Sequence, residues 1–366
     1  MHFTQAVVTG LAVLSSSALA HPGHDFKAEL NERRDFLKTV KRADISHCAE
    51  KLKARGVNKR NAARRHATLQ DARAKTSLVR RNATTVDAIN HNQTGNGYTA
   101  ATDASVLFEG FSSCLLTPEV TQGPYYVGGE FIRPNIIDGQ DGVPTILDYQ
   151  VVDADTCEVV PNVYLEIWHC NSTGVYSGVK VSGNGNDADA SNLNNTFFRG
   201  IQKTNADGVA QFTSLFPGHY AMRATHIHLM VHTNATVFAN GTLGNNNIYS
   251  SHIGQAFFDQ DLITEVEALS PYNTNTASIT DNVDDDLFVQ ETDSEGIDPV
   301  HEYIYIGDDV SDGLFAWLAF GINATASDAI TAAAWYYANG GQTNADYDYL
   351  AEEGTTGVTS PTATAS

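Results

Sequence analysis

The sequence predicts an all-β chain: an antiparallel β-sandwich core with an N-terminal helical, basic extension. Three observations lead there. After Cys114 the segments "TILDYQVVD", "NVYLEIWHC", "GVAQFTSLF", "HIHLMVH" and "EYIYIGDD" are short and rich in Val, Ile, Tyr and Phe, with Gly, Asn and Asp clusters between them. Helical periodicity marks the basic region before them. So does positive charge: residues 21–81 carry 17 Lys+Arg against 7 Asp+Glu, whereas everything from Asn82 onward carries 5 against 36.

The first twenty residues, "MHFTQAVVTGLAVLSSSALA", have an apolar run from Ala6 to Leu14 and small residues at Ala18 and Ala20. They read as a secretory signal cleaved after Ala20, so the expected location is extracellular. No later segment approaches the roughly 20 apolar residues of a membrane span. Residues 21–100 form the basic helical region and its linker, a candidate propeptide. Asp44 serves as N-cap, Ile45, Cys48, Ala49 and Leu52 share one face, and Gly56 stops the helix. A second helix is expected over Ala62 to Val79, then a polar linker over 82–100. Secretion argues against nucleic acid as partner of the basic residues. They are expected to pack on the chain's own acidic domain, to be trimmed at Lys41-Arg42 or Lys59-Arg60, or to meet a second subunit, which leaves a homodimer open. Residues 101–353 make the sandwich domain, with Asn/Gly-rich loops at 182–196 and 240–253. Residues 354–366 are a Ser/Thr-rich tail expected to be disordered.

Cys48, Cys114, Cys157 and Cys170 are an even set for an oxidising compartment. Of three pairings, Cys157–Cys170 is favoured because adjacent strands intervene, leaving Cys48–Cys114. Seven N-x-S/T sites (Asn82, Asn92, Asn171, Asn194, Asn234, Asn240, Asn323) fit a glycoprotein.

Within "FPGHYAMRATHIHLMVH" (216–232), His226 and His228 fall on one face of a strand, one pleat apart. Two neutral imidazoles so placed can chelate one metal. Tyr220 precedes them after a turn, and Tyr176 follows the strand "YLEIWHC". A phenol ionises at neutral pH only beside a strong Lewis acid, and tyrosinate is a hard oxygen donor. Ferric iron suits that mixed set. His169 and His232 read as packing residues, and His219 as facing away from Tyr220.

"LTPEVTQGPYY" (116–126), "IWHCNSTGVYSG" (167–178), "FRGIQKTNADGVAQFTSLFPGHY" (198–220) and "RATHIH" (223–228) resemble the intradiol ring-cleavage dioxygenases, in particular the secreted fungal members. The likeness runs from about Cys114 to Asp261. It implies a non-haem Fe(3+) site on Tyr176, Tyr220, His226 and His228, with Arg223 and Gln255 in the active site. It also implies a catecholic substrate and O2, with the ring cut between its two hydroxyl-bearing carbons to a muconate-type diacid. The displaced ligand would be Tyr220, acting as base. Met222 stands where the family pattern has glycine, which would narrow the pocket.

Three rival readings stand beside this one. A zinc enzyme would add His169 or His252 to His226 and His228. A copper site would use the amine and ring of His21 after cleavage. A sandwich binding aromatics or carbohydrate without turnover would need no metal.

Overall fold

The computed structural model describes part of the stretch 48–68, residues 113–114 and 123–180, most of 184–243, then 249–292 and most of 299–347. The signal segment, Lys41-Arg42, the linker 82–100, sequons Asn82 and Asn92, and the tail 354–366 lie outside the described residues. In chain order the strands are β1 (Ser113–Cys114), β2 (Val127–Gly128), β3 (Pro144–Asp153), β4 (Tyr164–Trp168), β5 (Arg199–Lys203), β6 (Val209–Leu215), β7 (His226–His232), β8 (Tyr249–Ser250), β9 (His252–Phe257), β10 (Glu302–Tyr305), β11 (Leu314–Ile322), β12 (Asp328–Ala329), β13 (Ala334–Tyr337) and β14 (Gly340–Thr343). The helices used below are α1 (Ala49–Ala54), α2 (Gln260–Glu267) and α3 (Asp286–Thr292).

Two sheets share one core. The order β5-β4-β7-β9 forms the first, antiparallel throughout. The second runs β1-β11-β3-β6, with β10 added to β11. Alternation decides what meets between them: Leu147, Tyr149 and Val151 of β3 and Leu318 and Phe320 of β11 face Leu165 and Ile167 of β4 and Ile227, Leu229 and Val231 of β7. Each such aliphatic or aromatic side chain contributes about 1.5–3 kcal/mol by leaving water.

The expected all-antiparallel pattern needs correction in the second sheet. β11 lies parallel to β3, from Leu314↔Thr145 to Ile322↔Asp153, and β1 lies parallel to β11. A parallel neighbour requires a long crossover, and here the whole first sheet is threaded between β3 and β11. The expected loop 240–253 is also shorter than anticipated, because β8 and β9 occupy its end.

β3 is buried on its outer side as well. There Leu52 of α1, with the flanking Cys48 and Val57, lies against Val152, Ala154 and Cys157. Charges reinforce the contact. Arg64 forks onto Asp148 and Arg60 onto Asp207 (2.7 Å), while Lys51 (2.8 Å) and Arg55 meet Glu158. The basic segment thus packs on the acidic domain, as its charge predicts. The disulfide, however, is Cys48–Cys157, not Cys157–Cys170, and Cys170 is a buried free thiol. Cys157 occupies a left-handed turn (φ 57°) beside α1, away from the interior where Cys170 donates to the Gly218 carbonyl (3.3 Å). The Cys48–Cys157 bond also rules out Cys48–Cys114.

Candidate active site

β7 is buried at all seven positions, yet only its odd-numbered residues belong to the shared core. His226, His228, Met230 and His232 face the opposite way. β4 presents Glu166 and Trp168 on that same face, and β9 presents Gln255 and Ile253. Register sets the neighbours: His228 lies between Trp168 on one side and Gln255 on the other. The Trp168 indole stacks on the His228 ring at 4.8 Å and 5°, which fixes the imidazole plane.

The two tyrosines arrive on loops locked backbone to backbone. Asn171 Oδ1 accepts from the Thr173 (3.1 Å) and Val175 (3.0 Å) amides and folds the chain back toward Tyr176. A Cβ at Gly218 would stand 2.6 Å from the Asn171 carbonyl, so only glycine lets the loop carrying Tyr220 approach. Tyr125 then stacks on Tyr176 (4.4 Å, 11°) and meets Tyr220 edge-on.

Four donor atoms converge as a result. Tyr176 Oη lies 3.4 Å from Tyr220 Oη, Tyr220 Oη 3.2 Å from His226 Nε2, and His226 Nε2 3.2 Å from His228 Nε2. Atoms bonded at about 2.0–2.2 Å to one metal ion sit about this far apart. His226 Nδ1 donates to the Ala224 carbonyl (2.6 Å), which leaves the Nε2 lone pair directed into the cluster. Burial pushes both phenols well above their ordinary value of 10.0, so they stay protonated until a cation draws the proton off. The donor set therefore fits a hard trivalent cation.

Arg223 and Gln255 border the cluster. Both are fully buried, and the Arg223 guanidinium donates to Gln255 Oε1. Gln255 Nε2 is buried with no hydrogen-bond partner among the described residues, a donor left over for an occupant. A residue the motifs do not reveal holds Arg223: Asp285 Oδ2 accepts from Arg223 Nε (3.0 Å) and from the Ala224 amide (2.7 Å). Its Oδ1 accepts from the Leu287 and Phe288 amides at the start of α3, so helix and guanidinium share one buried carboxylate. Asp285 lies 62 positions from Arg223 within the acidic run "DDD" (284–286), where no local pattern singles it out.

The remaining histidines go elsewhere. His169 bonds the Cys170 carbonyl and Ser214 Oγ, and His252 stacks on Phe320, so neither completes a zinc site with His226 and His228. No group of three His, Cys, Asp or Glu poised for a metal occurs among the described residues. His219 meets Glu267 of α2 at 2.8 Å. His232 is not simply packed: its Nε2 lies 2.8 Å from Glu166 Oε2. Met222 adopts φ 71° and its side chain is half exposed, so it stands at the rim and does not fill the pocket. His21 lies outside the described residues.

No family model matches the chain. An intradiol ring-cleavage dioxygenase of Tetranychus urticae shares 30% identity, over 58% of this chain and 97% of its own, with a TM-score of 0.46. Catechol 1,2-dioxygenase 1 of Acinetobacter lwoffii is 28% identical over 138 residues, and the chain spans 42% of that relative's length. The catechol 1,2-dioxygenase of Acinetobacter sp. ADP1 shares 20% identity over 57% of this chain and 62% of its own, with a TM-score of 0.35. On the sequence identity that spans nearly all of the Tetranychus urticae enzyme, this chain belongs to the intradiol ring-cleavage dioxygenases.

Proposed function

We propose that the protein is a secreted non-haem Fe(III) dioxygenase that cleaves catechol-type rings between their hydroxyl-bearing carbons. Both atoms of O2 enter the muconate-type product. The observation that carries this reading is the convergence of Tyr176, Tyr220, His226 and His228 through contacts of 3.2–3.4 Å. A ferric ion held there would chelate the diol and activate its ring toward dioxygen. Two tyrosinates would offset two of its three charges, leaving one for an anionic diol. Tyr220 Oη, the donor shared between Tyr176 and His226, is placed to take one substrate proton as the ligand that yields. Arg223 stabilises negative charge gathering on the ring in a site from which water is excluded. Gln255 Nε2 offers the remaining donor. Trp168 and Tyr125 hold the His228 and Tyr176 rings against rotation.

The seven sequons and the N-terminal signal support export and glycosylation. Asn194, Asn234, Asn240 and Asn323 are exposed, whereas Asn171 is tied into its own turn. Purified protein is expected to hold one ferric ion per chain and to show a visible tyrosinate charge-transfer band. Tyr176→Phe or Tyr220→Phe shifts or bleaches that band. An iron-loaded protein whose spectrum ignores both changes would overturn the ligand assignment.

A further inference from the structure

We infer a second ligand site at the other end of the face that carries the metal-type donors, built for a neutral ring edged with hydroxyl groups. A cavity of about 400 Å³ opens there, within the size range of small-molecule sites. Its floor holds three polar side chains that the proposed reaction does not use. Glu166 Oε2 accepts from His232 Nε2 (2.8 Å) and Tyr126 Oη (3.2 Å), and His232 Nδ1 lies 2.9 Å from the Tyr249 carbonyl. Glu166 and His232 are both 3% exposed, and Tyr126 is 1%.

That chemistry selects the ligand. Glu166 already faces His232, and among the described residues neither Lys nor Arg lines the cavity, so a charged ligand finds no counter-charge there. Phe238 and Leu243 supply an apolar wall, and Phe238 is 41% exposed, as an unfilled stacking surface would be. Thr236 and Ser327 at the edge offer neutral hydroxyl donors and acceptors. A six-membered ring with an apolar face and peripheral hydroxyls answers all three. A pyranoside and a simple phenol share that chemistry.

The site is separate from the metal-type cluster, since none of its described lining residues belongs to it. It is nevertheless joined to it by packing: Tyr126 lies against Trp168 (5.2 Å), whose other neighbour is His228. Trp168 therefore reports on the cavity.

The full chain would be titrated with methyl β-glucopyranoside and cellobiose in one arm and guaiacol in the other. Guaiacol has one free hydroxyl and cannot chelate as a diol. Tryptophan fluorescence and saturation-transfer NMR are the readouts, with benzoate as charged control. Saturable millimolar binding in either arm is expected, and the arm that binds assigns the source. Benzoate should not bind. Phe238→Ala and Glu166→Gln should each weaken binding by about tenfold, the loss of one good contact. Phe238 lies at the exposed rim, so that variant decides the matter if Glu166→Gln folds poorly. No saturable ring binding, or binding indifferent to Phe238→Ala, would overturn the site.

Discussion

The two ends of β7 carry the same residue type on the same face and put it to different uses. At the first end His226 gives its Nδ1 proton to a backbone carbonyl and turns a lone pair toward His228 and Tyr220. At the other end His232 also spends Nδ1 on a carbonyl, but its Nε2 meets a carboxylate. A ring aimed at phenols and another imidazole is available to a cation; a ring aimed at Glu166 is already occupied. The partner across the sheet, not the histidine, decides the role.

The largest effect comes from breaking this contrast at its metal end. His226→Ala or His228→Ala should remove most bound iron and lower catechol cleavage by well over a hundredfold, roughly the upper bound for losing a mere supporting residue. His232→Ala, four residues and about 13 Å beyond His228, should keep its iron while losing thermal stability. Metal analysis and oxygen uptake on the three proteins read this directly. Iron lost from His232→Ala alone would reverse the assignment.

Asp285 sharpens the comparison, because it does for Arg223 what Glu166 does for His232. Asp285→Asn should reduce kcat by about 10–100-fold, the usual cost of a lost supporting partner. Iron content and the charge-transfer band should not change, and Asp285→Glu should recover part of the rate. A variant that loses iron in proportion to activity would point to a structural role only.

A third test concerns Glu130, one residue from the cavity-lining Gly129. Burial raises its carboxyl to about 8; Arg199, 3.9 Å away, opposes the shift and Glu166 adds to it. The folded protein thus keeps a proton that the unfolded chain releases near 4.5. Stability is lost as pH rises from about 4.5 to about 8, by about 1.4 kcal/mol per unit at most. Glu130→Gln should flatten that slope, measured as Tm at pH 6 and pH 8. The smallest effect is Met222→Gly. Relief of the left-handed backbone should stabilise by about 1 kcal/mol, visible as a small rise in Tm.

The residues that make the first sheet could be read directly because alternation was clean: Ile227, Leu229 and Val231 against His226 and His228 leaves no doubt which face is which. What a single strand cannot carry is its partner. "LFAWLAFGI" is apolar at nearly every position, so it offers no alternation to read and says nothing of lying parallel to β3. Asp285 was hidden for a related reason, since its role depends on a contact across the fold. The sequence points to Cys157–Cys170 because strands adjacent along the chain lie between them, whereas packing pairs Cys157 with Cys48, 109 positions earlier.

That cross-link has a consequence for the integrity of the polypeptide. Lys59-Arg60 lies inside the covalent loop it closes, and Arg60 is already paired with Asp207 on the domain surface. A nick there would leave two pieces tied through Cys48 and Cys157, so the helix could be severed from the main chain and still remain seated on β3 until a reductant reached the bond.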